Sequence, residues 1–107
     1  MNDLVLRPLA RSDLREIWRY SYRRWGDDRA DRYLQELETG INRLKATPQL
    51  GRDCSEIRAG YRCIQVGHHL VFYVVEASSI SIRRVLHERM NPDRHLCPLN
   101  SAFVPFP

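Results

Sequence analysis

Hydrophobic residues recur at helical spacing in two consecutive stretches of the first half of the chain. Between positions 12 and 26 they fall three or four residues apart, which predicts an amphipathic helix capped by Ser12 and ended by Gly26. A second stripe follows, with Asp27 or Asp28 as its expected N-cap, and it stops near Pro48. Because the link between the helices is so short, we expect an antiparallel hairpin in which each helix covers a sheet with one face.

Strand patterns flank this hairpin. Residues 4–7 predict a short strand before the first helix, and residues 61–66 alternate between apolar and polar side chains. Residues 70–75 are apolar on both faces, which is typical of a central strand. A tight turn at Gly67 and His68 is expected between these last two strands.

The last predicted strand begins at Ile80, and its pattern changes phase before Val85. Such a slip indicates an extra residue in the strand, so we expect a β-bulge at Arg83 and Arg84. The predicted fold is therefore α+β in the order β-α-α-β-β-β, with an antiparallel sheet and the two-helix hairpin packed on one face.

The length of 107 residues suits one domain with a single modest core. We expect this domain to span residues 1–96, and residues 97–107, which are rich in proline, to form a C-terminal tail. No apolar run is long enough to cross a membrane, and the N-terminal residues lack the pattern of a secretory signal. A cytoplasmic protein is therefore expected.

The cysteines form no CxxC pair, which predicts reduced thiols rather than metal ligands. They are Cys54, Cys63 and Cys97. The sequence also contains no glycine-rich phosphate loop, no HExxH motif and no GxSxG motif. We therefore expect neither a cofactor nor a metal ion.

The net charge of +4 is mild and evenly spread, whereas a dedicated nucleic-acid binder usually concentrates its basic residues. All of the basic residues except Lys45 are arginines. Guanidinium groups make planar, paired contacts with carboxylates as well as with phosphates. An acidic protein partner is thus as compatible with the composition as nucleic acid, and direct sequence-specific nucleic-acid binding is not expected.

Three blocks on or beside consecutive predicted strands carry a family resemblance: residues 57–62 (IRAGYR), 69–73 (HLVFY) and 84–90 (RVLHERM). Upstream of them, the first helix ends in Trp25 and Gly26. In this order the blocks resemble the ParE branch of the ParE/RelE toxin superfamily, over nearly the whole chain. The resemblance implies the toxin of a type II toxin–antitoxin system. Such a toxin inhibits DNA gyrase without chemistry of its own and is neutralised by a ParD-like antitoxin.

The expected antitoxin-binding surface lies on the helical hairpin. A row of arginines spaced four residues apart would meet acidic antitoxin side chains, although such a row is more often a solvated helix face. The row consists of Arg15, Arg19 and Arg23. Leu34 or Leu37 would add apolar contacts if the hairpin leaves them accessible. Trp18 and Trp25 lie on the apolar stripe and are expected in the core.

The expected target-binding segment lies towards the C-terminal end, where cationic groups are concentrated and acidic residues are few. Its candidates are Arg83, Arg84, His87, Arg89, Arg94 and His95.

A ribosome-dependent mRNA endonuclease like RelE is the main alternative, because histidines that could act as acid or base lie on the same strands. Its candidate groups are His69, His87, Arg89 and His95. Against it, strand 61–66 contains none of the lysines that RelE-type toxins present there. His69 and His95 also stand where those toxins place an arginine and a tyrosine. A third possibility is a non-toxic remnant that still binds its antitoxin.

Overall fold

The computed structural model describes residues 3–89. Two helices, α1 and α2, are followed by a short 3₁₀ helix, and the five strands form one sheet. In chain order the elements are β1 (Asp3–Leu6), α1 (Pro8–Trp25), α2 (Asp27–Ala46), the 3₁₀ helix (Pro48–Leu50), β2 (Arg52–Asp53), β3 (Tyr61–Val66), β4 (His69–Val75) and β5 (Ser79–His87).

The sheet has the strand order β1-β5-β4-β3-β2, with antiparallel pairing from β2 through β5. The α+β fold with a helical hairpin is confirmed. Two features differ from the expected order β-α-α-β-β-β: the short strand β2 is additional, and β1 joins the edge of the sheet parallel to β5. This register places Leu4 opposite Ile80 and Leu6 opposite Ile82. The two leucines of β1 thereby pack against the core that lies under the helices.

The first helix begins earlier than predicted. Pro8 is its first residue and Arg7 its N-cap, so Ser12 lies inside the helix and caps nothing. Proline suits this position because its fixed φ is already helical and its missing N–H would have no partner in the helix. Asp13 consequently lies in the second turn of α1 rather than in its first.

Gly26 alone links the two helices. Its φ of 91° is disfavoured for residues with a side chain, and its N–H donates to the carbonyl of Tyr22 at 2.9 Å. Gly26 also serves as N-cap of α2, and its carbonyl accepts from the N–H of Ala30. The prediction that Asp27 or Asp28 caps α2 is therefore wrong. Both carboxylates lie in the first turn, where the helix dipole favours negative charge.

The main core lies between the hairpin and the helix-facing side of the sheet. Leu37 of α2 and Val71 and Tyr73 of β4 are fully buried there. The predicted bulge is confirmed in β5, where Phe72 pairs with Arg84 but Tyr73 pairs with Ile82. The residue between the two pairs has no partner, and the bulge restores the alternation that the sequence pattern breaks.

A second cluster lies on the opposite side of the sheet, around Phe72 and Leu86. Cys54 and Cys63 belong to it, and both are free, buried thiols. Burial raises the pKa of the Cys63 thiol to about 12, so this side chain is a poor nucleophile at neutral pH. Cys97 lies outside the described residues.

The predicted burial of the tryptophans is wrong for Trp25. Its side chain is 49% exposed, and Trp18 is only half-buried. The last buried residue of α1 is Ser21, so the final turn carries its aromatic side chains beyond the core. Periodicity alone could not show where the underlying core ends, because the apolar stripe continues past that point.

Candidate functional sites on the helical hairpin and at the end of β5

An open groove runs between α1 and α2 on the outer side of the hairpin. Half-buried apolar side chains of both helices form its floor, and exposed charged side chains form its rim. Its lining consists of Leu14, Arg15, Trp18, Arg19, Leu34 and Glu38. A groove with an apolar floor and a charged rim is the type of surface that takes an amphipathic helix.

Trp18 is held in one position in this groove by contacts on both sides. Its indole N–H donates to Oδ1 of Asp31 on α2 at 2.9 Å, and its ring stacks on Tyr22 with centroids 5.2 Å apart. Nη1 of Arg19 lies 2.9 Å from a carboxylate oxygen of Glu16, and both side chains are well exposed. Such exposed pairs contribute little to stability, so Arg19 can exchange this partner for another carboxylate.

Only some of the predicted antitoxin-binding residues line the groove in the structure. Arg15, Arg19 and Leu34 all line the groove. Arg23 is exposed in the last turn of the same helix, outside the groove lining. Leu37 is fully buried under α2 and is therefore not accessible to a partner in the folded protein.

Two of the predicted target-binding arginines have internal roles. Arg84 is buried, and its Nε and Nη2 donate to the two carboxylate oxygens of Asp13 at 2.8 and 2.9 Å. The backbone N–H of Val85 donates to the same carboxylate at 2.9 Å. The expectation that Arg84 lies on the surface is thus wrong. Arg83 is half-buried and donates through Nε to Ser81 Oγ at 2.9 Å.

The remaining target-binding candidates are placed differently from one another. Arg89 is exposed two residues after the end of β5, and His87 is half-buried at the end of that strand. Arg94 and His95 lie outside the described residues.

Three histidines come together at the end of the β3–β4 hairpin. His69 and His87 are direct cross-strand partners, with ring centroids 5.2 Å apart. The ring of His68 stacks near His87 at 6.4 Å, and its Nδ1 lies 3.1 Å from a carboxylate oxygen of Glu88. Gln65 donates to the other oxygen of that carboxylate at 3.0 Å.

Tyr33 of α2 ties the helical layer to this histidine cluster. Its hydroxyl accepts the N–H of His68 at 3.1 Å and lies 2.5 Å from Nδ1 of His69. All three groups are satisfied when the hydroxyl proton is donated to a neutral His69. The role of Tyr33 in this cluster was not predicted from the sequence, since nothing in its local pattern points to a partner 36 residues away.

The histidine cluster is poorly arranged for general-base catalysis. Nδ1 of His87 accepts the backbone N–H of Arg89 at 3.1 Å, which leaves the proton of the neutral ring on Nε2. Nδ1 of His69 accepts the hydroxyl proton of Tyr33 in the neutral tautomer that satisfies all three groups. Both rings therefore present an N–H rather than a lone pair, whereas a base for a 2′-hydroxyl proton needs the lone pair.

Burial, followed by the charges of His87 and His68, lowers the pKa of His69 to about 4 from its ordinary value of 6.5. As the pH falls from 6.5 to 4, His69 therefore takes up a proton in the unfolded chain but stays mostly neutral in the folded protein. We expect stability to fall by about 2 kcal/mol as the pH drops through this window. Denaturant unfolding of wild type and His69→Gln at both pH values measures this loss. The His69→Gln variant should lose less stability than wild type. His68→Gln should lose an intermediate amount, because the charge of His68 is a smaller cause of the lowered His69 pKa than burial.

Among residues 3–89, no group of three or more His, Cys, Asp or Glu side chains is placed to hold a metal ion. Neither of the described helices is apolar enough over its length to cross a membrane.

Comparison with known proteins agrees with this geometry. The family model for the ParE toxin of the type II toxin-antitoxin system parDE matches residues 4–92. Toxin ParE1 of Mycobacterium tuberculosis is 48% identical over 93 residues, which cover 86% of this chain and 95% of that protein. Toxin ParE of Escherichia coli is 38% identical over 92 residues, covering 85% and 89%.

A solved structure is similar in fold, with lower sequence identity. It is a chain from the chromosomal ParDE TA system of P. aeruginosa, with a TM-score of 0.73 and 19% identity over 81% of this chain and 96% of that chain. The sequence matches span nearly the whole length of the curated relatives. The protein therefore belongs to the ParE family of toxins of type II toxin–antitoxin systems.

Proposed function

We propose that this protein arrests bacterial growth by inhibiting DNA gyrase in the cytoplasm, and that a ParD-like antitoxin neutralises it. The observation that carries the proposal is the identity of 38–48% with curated ParE toxins over more than four fifths of the chain. The histidine cluster favours the same conclusion. Both of its cross-strand rings are occupied at Nδ1, which argues against the alternative of an mRNA endonuclease.

The groove on the hairpin is the proposed docking site of the antitoxin. Leu14, Trp18 and Leu34 offer an apolar floor for one face of an amphipathic helix. Arg15 and Arg19 on the rim would pair with acidic side chains of that helix. The charge pattern therefore selects an antitoxin segment with apolar residues on one face and carboxylates beside them.

Changing Arg15, Arg19 and Arg23 together to glutamate should weaken antitoxin binding at least tenfold, because attraction to its carboxylates becomes repulsion. Titration calorimetry at low salt with the purified antitoxin measures this loss. The matched control reverses three exposed arginines outside the groove, Arg32, Arg43 and Arg52. Equal affinities of the two triple variants would exclude the arginine row as a docking surface.

Purified toxin should block DNA supercoiling by gyrase or trap cleaved DNA, and should leave ribosome-bound mRNA intact. Supercoiling and cleavage assays on plasmid DNA test the first expectation, and primer extension on translated mRNA tests the second. In cells, the same activity predicts filamentation and induction of the DNA-damage response.

Other results would support the alternatives. Cleavage of mRNA in the ribosomal A site, abolished by His87→Ala, would replace gyrase inhibition by endonuclease activity. Normal growth during expression, together with antitoxin binding, would identify a non-toxic remnant.

A further inference from the structure

The end of the helical hairpin carries two aromatic rings that the core does not use. Tyr20 is 57% exposed and Trp25 49% exposed, and their rings meet edge to face with centroids 6.3 Å apart. Exposed aromatic clusters of this kind are uncommon on proteins that act alone, because water hydrates them poorly. We refer to Tyr20, Arg24, Trp25 and Arg29 as the hairpin tip.

Each ring of the hairpin tip has an arginine stacked near it. The guanidinium carbon of Arg24 lies 6.0 Å from the ring centroid of Tyr20, and that of Arg29 lies 5.8 Å from the ring centroid of Trp25. Neither arginine has a carboxylate oxygen within 4.0 Å among residues 3–89. A guanidinium that stacks on a ring keeps its N–H edge available, and that edge matches a carboxylate.

The backbone of the hairpin tip is helical on both sides of Gly26. Its residues lie in the last two turns of α1 and the first turn of α2, which the single residue Gly26 links. A helical backbone loses little conformational entropy on binding, so more of its contact energy appears as affinity. Tryptophan, tyrosine and arginine are the residue types that contribute most at the centres of protein interfaces.

We propose that the hairpin tip is the surface with which the toxin contacts its target, and that it binds an acidic protein surface. The inference rests on the proposed function and adds the location of the contact. The tip shares no residue with the groove assigned to the antitoxin. Furthermore, the internal pairing of Arg84 with Asp13 removes one of the candidates in the β5 segment, while Arg24 and Arg29 have no carboxylate partner among residues 3–89.

The local charges favour protein over nucleic acid as the partner. Asp27 and Asp28 lie between Arg24 and Arg29 in sequence and are exposed. A uniformly negative phosphate backbone would be repelled by these two carboxylates. A protein surface can instead place carboxylates opposite the arginines and an apolar or basic side chain beside the aspartates.

Two variants of the full-length toxin test the proposal. Tyr20→Ala with Trp25→Ala removes the rings, and Arg24→Glu with Arg29→Glu reverses the charge while keeping the rings. The controls are Leu50→Ala, an exposed apolar side chain elsewhere, and Arg43→Glu, an exposed helical arginine. Each protein is assayed for inhibition of gyrase supercoiling, antitoxin affinity, binding to plasmid DNA and melting temperature.

We expect both tip variants to need at least ten times more protein for half-inhibition. Their antitoxin affinity and their melting temperature should stay close to wild type, and the controls should inhibit normally. A folded tip variant that inhibits as wild type overturns the inference and leaves the proposed function intact. Equal loss of antitoxin binding, or loss of DNA binding in step with inhibition, also overturns it. Failure of the wild-type protein to inhibit gyrase instead overturns the proposed function, and the inference with it.

Discussion

Replacing Asp13 by alanine should lower the free energy of unfolding by about 3–5 kcal/mol, the cost of removing one member of a buried ion pair. The Asp13 and Arg84 side chains are only 14% and 10% exposed, so water cannot take over the lost contacts. The carboxylate accepts two N–H groups of Arg84 and the N–H of Val85. All three donors would lose this acceptor at once. Urea unfolding of wild type and variant measures the difference.

A second substitution distinguishes the two acidic residues of α1, Asp13 and Glu16. Glu16→Ala removes a carboxylate from the same helix, where it pairs with Arg19 in an exposed position. This change should alter stability by less than about 0.5 kcal/mol, as surface substitutions usually do. A loss below 1 kcal/mol for Asp13→Ala would show that the buried pair does not hold α1 on the bulged strand.

The bulge and the ion pair illustrate what could and could not be predicted from the sequence. The phase change between Ile80 and Val85 is a local pattern, and it located the bulge correctly. The partner of Arg84 is 71 residues away, so no local pattern identifies it. Arg84 was therefore predicted to lie on the surface with its charged neighbours. In the structure, the bulge and the position of Asp13 on α1 bring Arg84 and Asp13 together.

The burial of side chains at the helix ends was the second property that the sequence pattern could not predict. Apolar spacing predicted the helices and their one-sided character, and the residues of both apolar stripes up to Ser21 and Leu44 follow that pattern in the structure. Trp25 continues the stripe but extends past the core. Whether such a residue is buried depends on the tertiary packing beneath it, which the helix sequence does not encode by itself. Because Trp25 was predicted to be buried, the exposed aromatic cluster of the hairpin tip was not predicted from the sequence.

Replacing Gly51 by alanine should destabilise the protein by about 2–4 kcal/mol, through overpacking and lost hydrogen bonds. A Cβ at this position would lie 2.6 Å from the hydroxyl of Tyr73 and 2.7 Å from the carbonyl oxygen of Cys63. The hydroxyl cannot move freely, since it accepts the N–H of Gly51 and donates to the carbonyl of Pro48. The Cys63 carbonyl belongs to β3 and is fixed by the sheet.

Gly60→Ala is the informative comparison for this prediction. Gly60 has open space around it but a φ of 83°, so alanine there should cost about 1–2 kcal/mol from backbone conformation alone. Gly51 has an extended backbone with φ of −79°, which any residue adopts, so its whole cost must come from contacts. Adding Tyr73→Phe to Gly51→Ala should restore little, because the Cys63 carbonyl remains in place. Thermal unfolding of the three variants distinguishes these contributions, and full recovery of stability in the double variant would contradict the role given to β3.

The carbonyl of Gly51 also accepts from Nη2 of Arg62 at 2.5 Å, within the segment that resembles the ParE toxins. The hydrogen bond to Arg62 thus joins the chain before β2 to β3, the strand that carries this segment. A larger residue at position 51 should weaken the packing of both the chain before β2 and β3.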